Sequence, residues 1–166
     1  MTFKELFQVG QTFENYIEIA TQGEKDRIPK NYSRIKLPTD LIDEIEKIGD
    51  KIYILASGEM WCPDCQLNIT VAKKLVEIND NIELSIISLG RGRRYLAPLL
   101  GIEEFKIPTM VVLDKNFNQI GIFLEEPKDL KKLDKNDENK LSYLKGYFLA
   151  NTARELVEII KVGENK

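Results

Sequence analysis

The chain has 166 residues and a formal net charge of −3, with 43% hydrophobic and 31% charged residues. This length fits one domain, and the composition is that of an ordinary globular protein rather than a disordered one. The charge provides no basic field for nucleic acid or an anionic membrane, and the longest apolar runs, such as residues 52–56, are too short to span a bilayer.

The N-terminal part of the sequence predicts helices. Apolar residues recur near a 3.6-residue period over residues 2–22, and Gly10 is expected to break this pattern. Lys4 and Glu5 interrupt the first apolar residues. We therefore expect no secretory signal and infer a cytoplasmic protein that does not bind a membrane.

Two prolines frame the stretch that follows. Pro29 and Pro38 predict a less regular segment between them. Thr39 or Asp40 is expected to cap a short amphipathic helix, and Gly49 is expected to end it.

The middle of the chain alternates between strand and helix signals. Residues 51–56 are continuously apolar after Lys51, which is typical of a strand buried on both faces. Apolar residues at helical spacing predict a helix after the cysteines. Residues 82–89 predict a second strand, and residues 91–100 predict a short helix that stops near Gly101.

The last part of the chain predicts a hairpin and a helix. Residues 109–113 and 119–124 are expected to form two strands joined by a turn. The charged residues 125–140 predict a solvated loop or frayed helix. Apolar residues from Leu141 to Ile160 predict one closing amphipathic helix.

These elements predict an α/β fold in which a mixed β-sheet is flanked by helices. The order from residue 51 is β-α-β-α-β-β-α, which implies a parallel pair with a crossover helix and then an antiparallel hairpin. We predict a domain over residues 51–166, with residues 1–50 as an N-terminal helical extension packed on its core.

The cysteine content is unusual. The sequence has no histidine, which removes Cys-His and Ser-His-Asp nucleophilic sites and Cys/His zinc sites. Its two cysteines, Cys62 and Cys65, lie three positions apart, a spacing that chance gives about one per cent of the time. A mononuclear zinc site needs about four ligands, so we expect no metal and no other cofactor.

The cysteines are expected at the start of a helix. Pro63 suits the first helical position because its missing N–H has no helical partner there, which makes Cys62 the cap residue. Free N–H groups and the helix dipole then favour the Cys62 thiolate, the reactive form. Cys65 lies nearly one turn further on, so it should be less exposed and within reach of Cys62. We predict that Cys62 attacks a substrate disulfide and that Cys65 resolves the mixed disulfide.

Two motifs resemble landmarks of the thioredoxin superfamily. Residues 61–65 read Trp-Cys-Pro-Asp-Cys after a hydrophobic strand, and residues 106–113 read Lys-Ile-Pro-Thr-Met-Val-Val-Leu. The second motif resembles the family's cis-proline at the start of the strand that faces the dithiol. The resemblance covers residues 40–125 and implies a thioredoxin-like fold and a thiol–disulfide oxidoreductase.

The resemblance also implies substrate-binding roles. It implies a cis peptide between Ile107 and Pro108, whose backbone would pair with the client chain, and a packing and docking role for Trp61. The implied partners are disulfide-containing client proteins and a thiol-reducing electron donor. We expect no nucleic-acid partner, and nothing in the sequence demands more than a monomer.

The sequence departs from thioredoxin itself around the cysteines. Pro63 and Asp64 replace the usual Gly-Pro pair, and Ala56 replaces the buried acid found six positions before the first cysteine. Glu59 is the nearest acidic candidate to help Cys65 lose its proton.

Asp64 supports a sharper hypothesis about redox poise. Its carboxylate should oppose the Cys62 thiolate and raise the pKa of that thiol. A less stabilised thiolate makes the couple more reducing, so we predict a reductase-like poise.

Two alternative functions stay open. The chain could be a thioredoxin-like binding module for a protein partner with an idle dithiol, which the missing acid at Ala56 favours. A metal or iron–sulfur carrier would require a dimer that pools Cys62 and Cys65 from two chains, and the sequence offers few further ligands.

Overall fold

The computed structural model describes residues 1–165 of the chain. In this range the strands β1 to β4 are Ile52–Ser57, Ile82–Ile87, Thr109–Leu113 and Gln119–Leu124. The helices α1 to α10 are Phe3–Val9, Phe13–Glu18, Gln22–Ser33, Thr39–Glu46, Pro63–Ile78, Leu89–Arg91, Ala97–Leu100, Lys128–Lys131, Asp137–Leu144 and Leu149–Glu164. A π-helical turn, Gly92–Leu96, joins α6 to α7.

The four strands form one sheet in the order β2-β1-β3-β4. β1 pairs in parallel with β2, and β3 pairs in antiparallel fashion with both β1 and β4. This arrangement confirms the predicted mixed sheet, in which α5 makes the crossover between the parallel strands.

The register of the sheet positions the cysteine segment. Ser57 at the end of β1 lies opposite Thr109 at the start of β3. Residues that follow β1 and residues that precede β3 therefore emerge at the same edge of the sheet. Cys62 comes from the first of these segments and Pro108 from the second.

Helices cover both faces of the sheet, as predicted. α5 and α10 pack against each other, and α10 also packs on β3 and β4. On the other face, the ring of Phe7 in α1 lies 4.9 Å from the ring of Tyr53 in β1. Tyr53 points away from Ile52 and Ile54 because successive side chains of a strand alternate between faces.

The N-terminal helices belong to the same packed core as the sheet. Leu6 of α1 and Leu41 of α4 are fully buried in it. Gln11 forms a short antiparallel bridge to Ile86 of β2, with backbone N–O distances of 2.8 and 2.9 Å. The boundary at residue 50 stays a prediction.

The prediction of an irregular segment between Pro29 and Pro38 is wrong for the first part of that segment. Residues 22–33 form the helix α3, which contains Pro29. A capping box starts this helix, because the side chains of Thr21 and Glu24 each accept the other residue's backbone N–H. Contact with α5, where Asn31 donates to the Gln66 carbonyl over 3.3 Å, offsets the hydrogen bond that proline cannot make.

The predicted cap of α4 is also corrected. Pro38 is the cap residue and makes no side-chain cap hydrogen bond, while Thr39 and Asp40 lie inside the first turn. The helix ends before Gly49, at Glu46. Leu41 and Ile45 form its buried face, and this burial stabilises the helix without a side-chain cap.

The closing helix is two helices rather than one. Gly146 has a φ of 89° between α9 and α10, a conformation that interrupts a right-handed helix. α9 also begins at Asp137, and α8 lies within residues 125–140, where we expected a loop or frayed helix. Asn136 explains the start of α9, because its side chain accepts the Asn139 backbone N–H over 2.8 Å.

Candidate active site

Cys62 is the N-cap residue of α5, as predicted. Its Sγ atom lies 3.4 Å from the Cys65 backbone nitrogen and accepts that N–H group. Pro63 occupies the first helical position, where no N–H is needed. The sulfur of Cys62 therefore sits at the positive end of the helix dipole.

The two sulfurs differ in exposure and in acidity. Both are free thiols; Cys62 is 6% exposed and Cys65 is fully buried. A hydrogen bond from the Cys65 thiol is the largest influence that lowers the pKa of Cys62, and the backbone N–H groups of Cys65 and Asp64 add to it. Burial raises the pKa of Cys65 far above the usual range. Cys62 is therefore the sulfur that ionises first.

The charge of Asp64 acts on Cys62 in the predicted direction but does not decide the outcome. It raises the pKa of the Cys62 thiol, and partial burial of the sulfur does the same. The hydrogen bonds to the sulfur are stronger than both effects combined, so the pKa of Cys62 lies below its ordinary value.

The proline segment faces the dithiol. The peptide between Ile107 and Pro108 is cis, as the motif implied. The Ile107 carbonyl oxygen lies 3.8 Å from the Sγ atom of Cys62, which donates to it as a thiol. Trp61 lies next to Cys62 in the chain and is 61% exposed, so its ring is available for contact with another molecule.

A cavity of about 420 Å³ lies beside the segment that leads from β1 to the cysteines. Tyr16 of α2 lines it together with residues 58–61. The Tyr16 side chain is buried, and its hydroxyl group has no hydrogen-bond partner within the part of the chain that the structure describes. The sequence offered no functional signal for Tyr16, which lies within the helical pattern of apolar residues over residues 2–22.

The backbone of Glu59, rather than its carboxylate, acts on the dithiol. The Glu59 N–H lowers the pKa of Cys65, although burial outweighs it. The carboxylate accepts the Leu89 backbone N–H over 2.9 Å. Ala56 is fully buried in β1, so this position carries no carboxyl group that could accept a proton from Cys65.

Three residues that the sequence analysis missed form a hydrogen-bond network that ends at Asp64. The Tyr143 hydroxyl donates to Asp64 Oδ1 over 2.6 Å. Asn68 donates to Tyr143, and Thr152 donates to Asn68. Asn68 and Thr152 lie on the faces of their helices that pack into the core. This position was the only sequence signal for a buried polar group.

Neither a membrane segment nor a metal cluster appears among residues 1–165. No helix in this range has the length and apolar content needed to cross a membrane. No three histidine, cysteine, aspartate or glutamate side chains in this range are grouped so that they could hold a metal ion.

A mixed sheet that holds a helix-capping dithiol opposite a cis-proline defines the class of thioredoxin-fold proteins. The chain belongs to the thioredoxin family, because a family model described as Thioredoxin matches residues 10–140. This match begins well before the region of the motif resemblance and includes most of the N-terminal helices.

Two solved structures share the whole fold. One is a crystal structure of an HIV epitope scaffold, and the other is a 1.5 Å crystal structure of a protein of unknown function from Pseudomonas aeruginosa. Each is 31% identical to this chain with a TM-score of 0.91, and the match covers 97% of this chain and 98% of the other. No curated protein matches the chain.

Proposed function

We propose that the chain is a thiol–disulfide oxidoreductase that reduces or exchanges disulfides of client proteins through Cys62 and Cys65. The observation that carries this proposal is the contact between the Cys62 sulfur and the Cys65 N–H at the start of α5. This contact stabilises a thiolate on the Cys62 sulfur. A side-chain hydrogen bond between the two cysteines supports a Cys65 sulfur within reach of it.

The proposed reaction transfers two electrons in two exchange steps. The Cys62 thiolate attacks one sulfur of the client disulfide, so a mixed disulfide forms and one client thiolate leaves. Cys65 then loses its proton and attacks the Cys62 sulfur, which forms the Cys62–Cys65 disulfide and releases the second client thiolate. The client gains two thiols, and a thiol reductant must reduce the protein's disulfide again.

The client chain is proposed to bind beside the proline segment. The Ile107 carbonyl lies next to the reactive sulfur, and Trp61 offers an exposed ring on the adjoining segment. Backbone pairing with Ile107 and Pro108 would hold an extended client while its disulfide meets Cys62. One chain supplies all these groups, so a monomer suffices.

A reductase-like poise and a cytoplasmic location complete the proposal. The Asp64 charge opposes the Cys62 thiolate, which favours the disulfide form of the protein and makes its dithiol a better reductant. The cytoplasm keeps protein thiols reduced, so a dithiol reductase can turn over there.

Insulin reduction tests this activity. With dithiothreitol as the donor, the wild-type chain should accelerate the precipitation of reduced insulin, and Cys62→Ser should abolish the acceleration. Cys65→Ser should also lose turnover, because its mixed disulfide cannot be resolved from within. A wild-type chain that leaves the insulin rate unchanged would contradict the proposal.

A redox-idle binding module is the second candidate. It is favoured by Ala56, because no carboxylate at that position assists the buried Cys65 thiol in losing its proton. This candidate predicts that a Cys62–Cys65 disulfide forms under oxidation while insulin reduction stays at the uncatalysed rate.

A further inference from the structure

Asp64 and Tyr143 form a contact that the exchange steps do not use. The Tyr143 hydroxyl donates to Asp64 Oδ1 over 2.6 Å, although 79 positions separate the two residues. Tyr143 in α9 is buried, and Asp64 is half-buried in the first turn of α5, two residues after Cys62. This contact joins the segment between β4 and α10 to the redox motif.

Buried amide and hydroxyl groups surround this hydrogen bond. The two N–H groups of Asn68 Nδ2 face three acceptors: the Tyr143 oxygen at 2.9 Å, the Asp64 carbonyl oxygen at 2.9 Å and the Glu125 carbonyl oxygen at 3.0 Å. Thr152 Oγ1 donates to Asn68 Oδ1 over 2.7 Å, which sets the orientation of the Asn68 amide. Since an ionised carboxylate can only accept, the Tyr143 hydroxyl is the donor to Asp64. Asn68 and Thr152 are fully buried, so this network is costly to rearrange.

Burial and nearby charges act on the Asp64 carboxyl, and the Tyr143 hydrogen bond favours its charged form. Burial raises the pKa of Asp64, and the Tyr143 hydrogen bond is the strongest influence in the opposite direction. Glu125 raises the same pKa further, and Lys140 lowers it. Glu126 lines the same cavity as Asp64, and burial and the Asp64 charge raise the pKa of Glu126.

We propose that Tyr143 is a positioning residue that holds the Asp64 carboxylate close to Cys62 and thereby restrains the reactivity of the Cys62 thiol. This role rests on the proposed function, because it modulates the sulfur that would attack a client. Without the Tyr143 hydroxyl, the Asp64 carboxylate loses this donor and turns towards solvent. This movement takes negative charge away from the neighbourhood of the sulfur, so Cys62 ionises more readily.

The test is the pH profile of Cys62 alkylation in the reduced full-length chain. Iodoacetamide is used as the probe, and mass spectrometry assigns the label to Cys62. Tyr143→Phe should lower the midpoint of the profile by about 0.5–1 pH unit, and Asp64→Asn should lower it by a similar amount. The double variant should show no further decrease, because Tyr143 acts through Asp64. Tyr147→Phe is the matched control, since Tyr147 is 70% exposed, and its midpoint should equal that of the wild type.

Two results would overturn this role. One is an unchanged midpoint in Tyr143→Phe, and the other is a decrease of equal size when the substitution is made in the Asp64→Asn background. If circular dichroism shows that Tyr143→Phe does not fold, the Asp64→Asn variant decides the question. An unchanged midpoint in Asp64→Asn would overturn the role, because Tyr143 acts through Asp64.

The alkylation profile needs no client protein. The proposed role of Tyr143 can therefore fail independently of the oxidoreductase proposal. Suppose that the wild-type chain does not reduce insulin and the variants still show the expected midpoints. This result would overturn the oxidoreductase proposal and support the role of Tyr143. A chain that reduces insulin but shows no Tyr143 effect would do the reverse.

Discussion

The Sγ atom of Cys62 lies 3.8 Å from the carbonyl oxygen of Ile107, 45 residues further along the chain. This contact joins the start of α5 to the segment that leads into β3. The Cys62 sulfur thus lies between a helix end that donates to it and a carbonyl that accepts from it. Loss of the thiol proton leaves only the donors, so the thiolate is held by the helix end.

The order of the two sulfurs in the reaction can be tested by trapping. Cys65→Ser should accumulate a mixed disulfide between Cys62 and a client peptide, because the resolving thiol is absent. The product is measured by non-reducing mass spectrometry after incubation with a disulfide-linked peptide. The wild type should show little of this adduct and Cys62→Ser none. If Cys65 in the Cys62→Ser chain formed an adduct as fast as Cys62 does in the Cys65→Ser chain, Cys62 would not be the attacking sulfur.

The redox poise can be measured by equilibration with glutathione. We expect the wild-type couple to be more reducing than strong disulfide oxidants, whose potentials are about −120 mV. Asp64→Asn should favour the reduced protein by about threefold to tenfold in the equilibrium constant, because the thiolate loses its opposing charge. Asp129→Asn, a substitution in α8, serves as a charge-matched control. A wild-type disulfide that glutathione reduces as readily as a strong oxidant would contradict the reductase-like poise.

Gly58 lies where the chain packs closely against Cys65. A Cβ atom at this position would lie 2.5 Å from Ile69 Cδ1 and 3.2 Å from Cys65 Sγ. Gly58→Ala should therefore lower the free energy of unfolding by about 1–3 kcal/mol in urea titrations and slow insulin reduction. Gly23→Ala is the control, because a Cβ atom there meets no other atom within 4 Å and alanine favours the helix α3. Equal stability of the two variants would show that Gly58 has more room than its contacts indicate.

Tyr16 carries a buried hydroxyl group without a partner in the described residues. A buried polar group that makes no hydrogen bond costs about 1–3 kcal/mol, so Tyr16→Phe should raise the free energy of unfolding by an amount in this range. Tyr147→Phe should leave the stability unchanged because Tyr147 is exposed. A decrease in the stability of Tyr16→Phe would mean that the hydroxyl has a stabilising partner.

The sequence predicted the parts of the fold that depend on local pattern. The strands near the cysteines and the capping role of Cys62 follow from short apolar runs and from Pro63. Gly101 ends the helix before β3 as expected, with a φ of 66° that suits glycine.

The parts of the fold that depend on contacts between distant residues could not be predicted from local sequence patterns. Pro29 lies inside α3 because capping at one end and contact with α5 support that helix. The helix α9 begins at Asp137, within the charged residues 125–140 that have no clear apolar period, so its start could not be foreseen. The Asp64–Tyr143 hydrogen bond joins residues 79 positions apart, and a single sequence carries no signal for such a pairing.

The mass of the intact protein reports whether Cys62 and Cys65 transfer two electrons to a disulfide. The reduced chain is mixed with an equimolar disulfide-linked peptide in the absence of any other thiol. We predict that the chain loses two hydrogens, that Cys62 and Cys65 become joined in one disulfide, and that the peptide gains two thiols. A chain that retains both free thiols while the peptide disulfide stays intact would contradict the account.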